Sequence, residues 1–92
     1  KAVLWMVADA EDSRAVRILS EMIKNEPDEE LRRRAIQALG NTEHDDAVPV
    51  LMDIVRNNNS LRLRKEAVRA LGQIDSPASQ RAIEQILSED LN

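Results

Sequence analysis

The stretch LRRRAIQALGN at residues 31–41 returns as LRKEAVRALGQ at residues 63–73. At an offset of 32 residues Leu31 falls on Leu63, Arg32 on Arg64 and Ala35 on Ala67, and Ala38, Leu39 and Gly40 fall on Ala70, Leu71 and Gly72. The match runs on without a gap, setting Leu51 over Ile83, Ile54 over Ile86 and Val55 over Leu87. An earlier copy, AVRILSEMI at 15–23, lies over AVPVLMDIV at 47–55. Before it, KAVLWMV at 1–7 follows RAIQALG at 34–40 once one turn residue is dropped, which pairs Lys1 with Arg34 and Met6 with Leu39. A fixed period of this length means units that bury their apolar faces against their neighbours, so the chain must stack.

Each period reads as two helices. The first, over about 28–40, spaces Leu31, Ala35, Ala38 and Leu39 on one face, with Asp28 as N-cap and Gly40 as a stop. After the turn NTEHD the second, over about 45–57, gathers Ala47, Val48, Val50, Leu51, Ile54 and Val55 on a broad apolar face. Pro49 in its first turns predicts a slight kink. Ser60 caps the next helix, and Ser76 followed by Pro77 starts the last. The pattern predicts an all-α solenoid of about three stacked antiparallel hairpins, with repeats at about 1–26, 27–58 and 59–92. Leu19, Leu39, Leu51, Leu71 and Ile83 belong to its core.

Composition agrees. Trp5 is the only aromatic residue, so the core must be aliphatic, and good helix formers dominate the chain. There is no cysteine, which excludes disulfides and thiolate metal sites and fits a reducing, cytoplasmic setting. No apolar run reaches the roughly 20 residues that a membrane helix needs. The formal net charge is −4, and residues 1–31, with four basic and eight acidic side chains, hold all of it. That balance disfavours a general nucleic-acid binder.

The segments LRRRAIQALGN…DDAVPVLMDIV and LRKEAVRALGQID…RAIEQIL resemble HEAT repeats, in the short form also found in phycobilin-lyase-type proteins. The signatures of tetratricopeptide and ankyrin repeats, of similar period, are missing. Val7 departs from the pattern, standing where Gly40 and Gly72 stand. The resemblance implies that second helices line a concave surface that holds partner proteins, while first helices form the outer wall.

The two ends differ. In the last helix Ser79, Gln80 and Ala82 replace Ala47, Val48 and Val50, which predicts a polar terminal cap. The chain opens inside an apolar helix with no capping residue, as a piece of a longer protein would. Val3, Trp5, Met6 and Val7 then form an apolar edge to be covered by upstream repeats or by self-association.

Little chemistry emerges. His44 is the sole histidine, and its neighbours Glu43, Asp45 and Asp46 include no second His or Cys of a transition-metal site. Some HEAT-type hydroxylases hold iron through repeated His-Glu pairs; here the order is Glu-His and occurs once. The serines fall at caps and exposed helix positions, and no nucleophile–base pair stands out. No catalytic, cofactor-binding or metal site is expected. The arginines at 32–34, with Arg62, Arg64 and Lys65, form the one basic feature; without aromatic residues beside them they read as a solvated outer face.

The side of the second helices opposite the core carries Arg17, Ser20, Glu21 and Lys24, then Met52, Asp53 and Arg56, then Arg81 and Gln85. This mixed strip, with one exposed Met, is the candidate partner surface. Arg32 and Arg64 recur within about 40° of the apolar centre of their helices. They are expected half-buried and paired with carboxylates one repeat earlier, Asp12 (or Glu11) for Arg32 and Glu43 or Asp45 for Arg64, as a structural ladder. The function expected is a non-catalytic protein–protein interaction scaffold. The alternatives are an accessory module of a lyase-type enzyme whose catalytic part lies elsewhere, or a nucleic-acid module using the arginines.

Overall fold

The computed structural model describes the backbone of residues 2–91 and the side chains of residues 13–89. Five helices follow in order: α1 (Ala2–Asn25), α2 (Glu29–Asn41), α3 (Ala47–Asn57), α4 (Leu61–Ile74) and α5 (Pro77–Leu91). The backbone described contains no strand. The pairs α2–α3 and α4–α5 are the repeated hairpins.

The first repeat differs from the expected plan. It is one continuous helix of 24 residues, not a hairpin. The sequence explains this, because residues 2–25 contain neither Gly nor Pro, and Val7 stands where a turn would need a breaker. The side chains of Val3, Trp5, Met6, Val7, Glu11 and Asp12 lie outside the described residues.

The later helix starts follow the caps. Asp28, in an extended conformation, accepts hydrogen bonds from the backbone N–H of Glu30 and Leu31 at 2.8 and 3.3 Å. Ser60 Oγ accepts from the N–H of Leu63 at 3.3 Å. At α5 the capping is reciprocal: Ser76 Oγ accepts from the N–H of Ser79, and Ser79 Oγ accepts from the N–H of Ser76. Ser79 is therefore fully buried and belongs to the start of α5, not to a polar end face.

Gly40 also has another role than the expected stop. Helix α2 runs through it, and neither glycine has a positive φ. A Cβ at Gly40 would sit 2.9 Å from the Cβ and 3.0 Å from the Cα of Ala70. The glycine is there because α4 approaches that closely.

One aliphatic core runs through the stack. Ile36, Leu39, Leu51, Leu63 and Leu71 are fully buried, and Ala35, Ala67 and Ala70 let the helices close around them. Leu19 and Ile83 are half-buried against this core at its two ends.

The two layers are unequally spaced. Helices α2 and α4 pack closely, while α3 and α5 make limited contact. The structure thus separates a tightly packed α2–α4 pair from a looser α3–α5 pair.

Polar bonds tie neighbouring repeats at the sequence period. Ser13 Oγ donates to Asp46 at 2.5 Å and Ser76 Oγ to Asp45 at 2.5 Å. Ser60 Oγ donates to Glu29, and Gln73 Nε2 to Asn41. Arg33 reaches Glu66 at 3.4 Å and Arg56 reaches Glu89 at 2.6 Å. The expected arginine ladder is not this set. Arg32 and Arg64 are half-buried as anticipated, but the Nε of each is buried without a hydrogen-bond partner, and no ion pair joins Arg64 to Glu43 or Asp45. Asp45 is engaged by Ser76 instead, and Glu43 sits in a left-handed turn with φ of 51°.

Candidate functional site

The divergence of α3 and α5 leaves a groove of about 470 Å³ between them. Its floor is apolar and small. Val48 and Met52 come from α3, while Ala78 and Ala82, one turn apart on α5, are too short to fill the space above them. Met52 is buried at 8 % exposure and is not the exposed residue that the sequence suggested. Its unbranched thioether is a surface that adapts to varied apolar groups.

Asp53 and Arg56 from α3 and Arg81 and Gln85 from α5 stand around this floor. Asp53 accepts from Asn57 Nδ2 at 2.6 Å, and Arg56 pairs with Glu89 across the helices. Arg81 and Gln85 are exposed and make no hydrogen bond or ion pair among the described residues. The groove therefore offers an apolar seat with an uncommitted cation and amide on one wall.

The structure thus brings together five residues of the candidate strip, Met52, Asp53, Arg56, Arg81 and Gln85. It does not bring in the other four. Arg17, Glu21 and Lys24 are exposed on α1 away from the groove, and the Ser20 hydroxyl turns back onto the Val16 carbonyl at 2.7 Å. The sequence wheel missed Ala78 and Ala82, since small residues on an apolar face look like core until the neighbouring helix is placed.

A second recess of about 300 Å³ lies between α2 and α4, lined by Glu30, Arg33, Arg62, Lys65, Glu66 and Arg69. Its wall is internally paired on the α2 side. Arg33 forks onto Glu30 at 2.5 and 3.0 Å and reaches Glu66 at 3.4 Å. The Arg33 hydrogen bond holds the Glu30 carboxyl down at about 2, and the same bond raises Arg33 above its ordinary value. Glu66, only 6 % exposed, also accepts from Gln37 Nε2 at 3.5 Å. These arginines line the recess between α2 and α4.

His44 Nδ1 accepts from the N–H of Asp46 at 3.0 Å, within the turn that leads to α3. Among the described residues no group of three or more His, Asp or Glu is placed to hold a metal ion, and no helix is long and apolar enough to cross a membrane.

Neither the curated proteins nor the solved structures gave a match to this chain. A family model described as HEAT repeats matches residues 16–92, which include α2 to α5 and the last ten residues of α1. HEAT repeats generally serve as protein-interaction scaffolds. With two helical hairpins in register, an aliphatic core and this match over most of its length, the chain belongs to the HEAT-repeat family.

Proposed function

We propose that the chain is a non-catalytic scaffold that holds a protein or peptide in the groove between α3 and α5. The observation that carries this reading is the incomplete closure of that layer. The groove has an apolar floor at Met52, Ala78 and Ala82, and Arg81 and Gln85 are left uncommitted at its edge. Such a combination suits an apolar anchor side chain flanked by a carboxylate. Membership of a family that generally works by binding proteins supports the same reading.

The test begins with peptides selected from a displayed random library against the intact chain. Arg81→Glu and Ala82→Trp, which reverse the free charge and fill the floor, should each weaken retained peptides by about tenfold or more, roughly 1.4 kcal/mol. Arg81→Glu should leave the melting temperature unchanged, since its side chain is exposed and unpaired. Peptides that bind both variants as tightly as the parent would refute the groove as the site.

A further inference from the structure

The repeat makes α4 a copy of α2, yet the two helices meet different surroundings. On α2, Ile36 is fully buried and Gly40 lies under Ala70 of α4. The equivalent positions on α4 are Val68, 38 % exposed, and Gly72, where an added Cβ would meet nothing within 4 Å. The surface of α2 that accepts a helix is thus reproduced on α4, where none of the described residues covers it. Leu61 at 57 % exposure extends it, and a recess of about 220 Å³ lined by Val55, Leu61, Arg64, Lys65, Val68 and Ile86 runs beside it.

The polar positions show what kind of helix fits. When α4 packs on α2, its Glu66 is received by Arg33 and Gln37, at 3.4 and 3.5 Å. The equivalents of that receiving pair on α4 are Lys65 and Arg69. Both are exposed, and neither makes an ion pair among the described residues. A neutral amide in the buried copy has become a second cation in the open one. Arg62, on the same face one turn earlier, adds a third, held only by a 4.0 Å approach to Glu29.

We propose that this face of α4 binds an amphipathic helix of a partner protein, one that packs small apolar residues over Val68 and Gly72 and delivers a carboxylate to Lys65 and Arg69. The α2–α4 contact is the template: the same face, the same close approach at glycine, and a carboxylate at the same place. A second copy on this face is an outcome that the test below separates. Nucleic acid fits poorly, because Leu61 and Val68 offer nothing to a phosphate backbone and the chain as a whole is negative. The face is separate from the α3–α5 groove, and either could be occupied without the other.

The probe is a synthetic stapled helix copying residues 60–74, with Leu63, Ala67, Ala70 and Leu71 kept, Glu at the Glu66 position and Gln at the other polar positions. Its binding to the intact chain is followed by fluorescence anisotropy. Saturable binding is expected, weakened about tenfold or more by Lys65→Glu with Arg69→Glu and unchanged by Arg81→Glu. A peptide with Lys in place of the glutamate should bind the charge-reversed protein better than the parent. Exposed positions 65 and 69 make loss of folding an unlikely confounder, and an unchanged circular-dichroism melt checks it. Absence of saturable binding, or equal binding by the reversed variant, overturns the proposal. So does a DNA duplex that outcompetes the peptide at physiological salt, or a concentration-dependent dimer in sedimentation that Val68→Glu abolishes.

Discussion

At the scale of single residues, Arg32 and Arg64 lie half-buried, each with an Nε that has no hydrogen-bond partner. Their angle on the helix correctly placed Arg32 and Arg64 half in the core, because a 100° step per residue fixes that from sequence alone. Their partners depend on where turns end up: Asp45, expected for Arg64, is engaged by Ser76, and Glu11 and Asp12, expected for Arg32, lie outside the described residues. An arginine whose Nε is buried without a partner packs its apolar stem against the core. Arg64→Met should therefore leave stability within about 1 kcal/mol of the parent in urea unfolding, or raise it. A loss of about 1–3 kcal/mol would mean that the guanidinium holds a carboxylate after all.

At the scale of the helix, the repeated glycine carries two meanings under one letter. Gly40 is squeezed by the Ala70 backbone, whereas nothing lies within 4 Å of a Cβ at Gly72. Gly40→Ala must push α2 and α4 apart and should destabilise by about 1–3 kcal/mol, the usual cost of overpacking. Gly72→Ala meets open space on a helix interior and should stabilise by about 0.5–1 kcal/mol. Thermal unfolding of the two variants checks the opposed signs; equal signs would contradict the stacking of α2 on α4. Helix bounds themselves were legible where a cap spoke, at Asp28, Ser60 and Ser76. They failed at α1, where the repeat suggested a turn but no residue there breaks a helix.

At the scale of the whole molecule, the period of the sequence determined the stack, and the family match over residues 16–92 agrees with it. The close approach of α2 to α4 and the gap above Met52 were not legible, because both are properties of helix pairs. The groove was half legible for the same reason: the wheel gathered Met52, Asp53, Arg56, Arg81 and Gln85, and only the divergence of α3 and α5 makes them its lining. Partners held there must be felt by the residues that line the α3–α5 groove. The most direct measurement is an amide chemical-shift map of the isotopically labelled chain, titrated with a library-selected peptide. Perturbations concentrated at Met52, Arg56, Ala78, Arg81, Ala82 and Gln85, with α1 silent, are the predicted result. A map centred on Arg17, Glu21 and Lys24 of α1, with the α3–α5 groove unmoved, would contradict it.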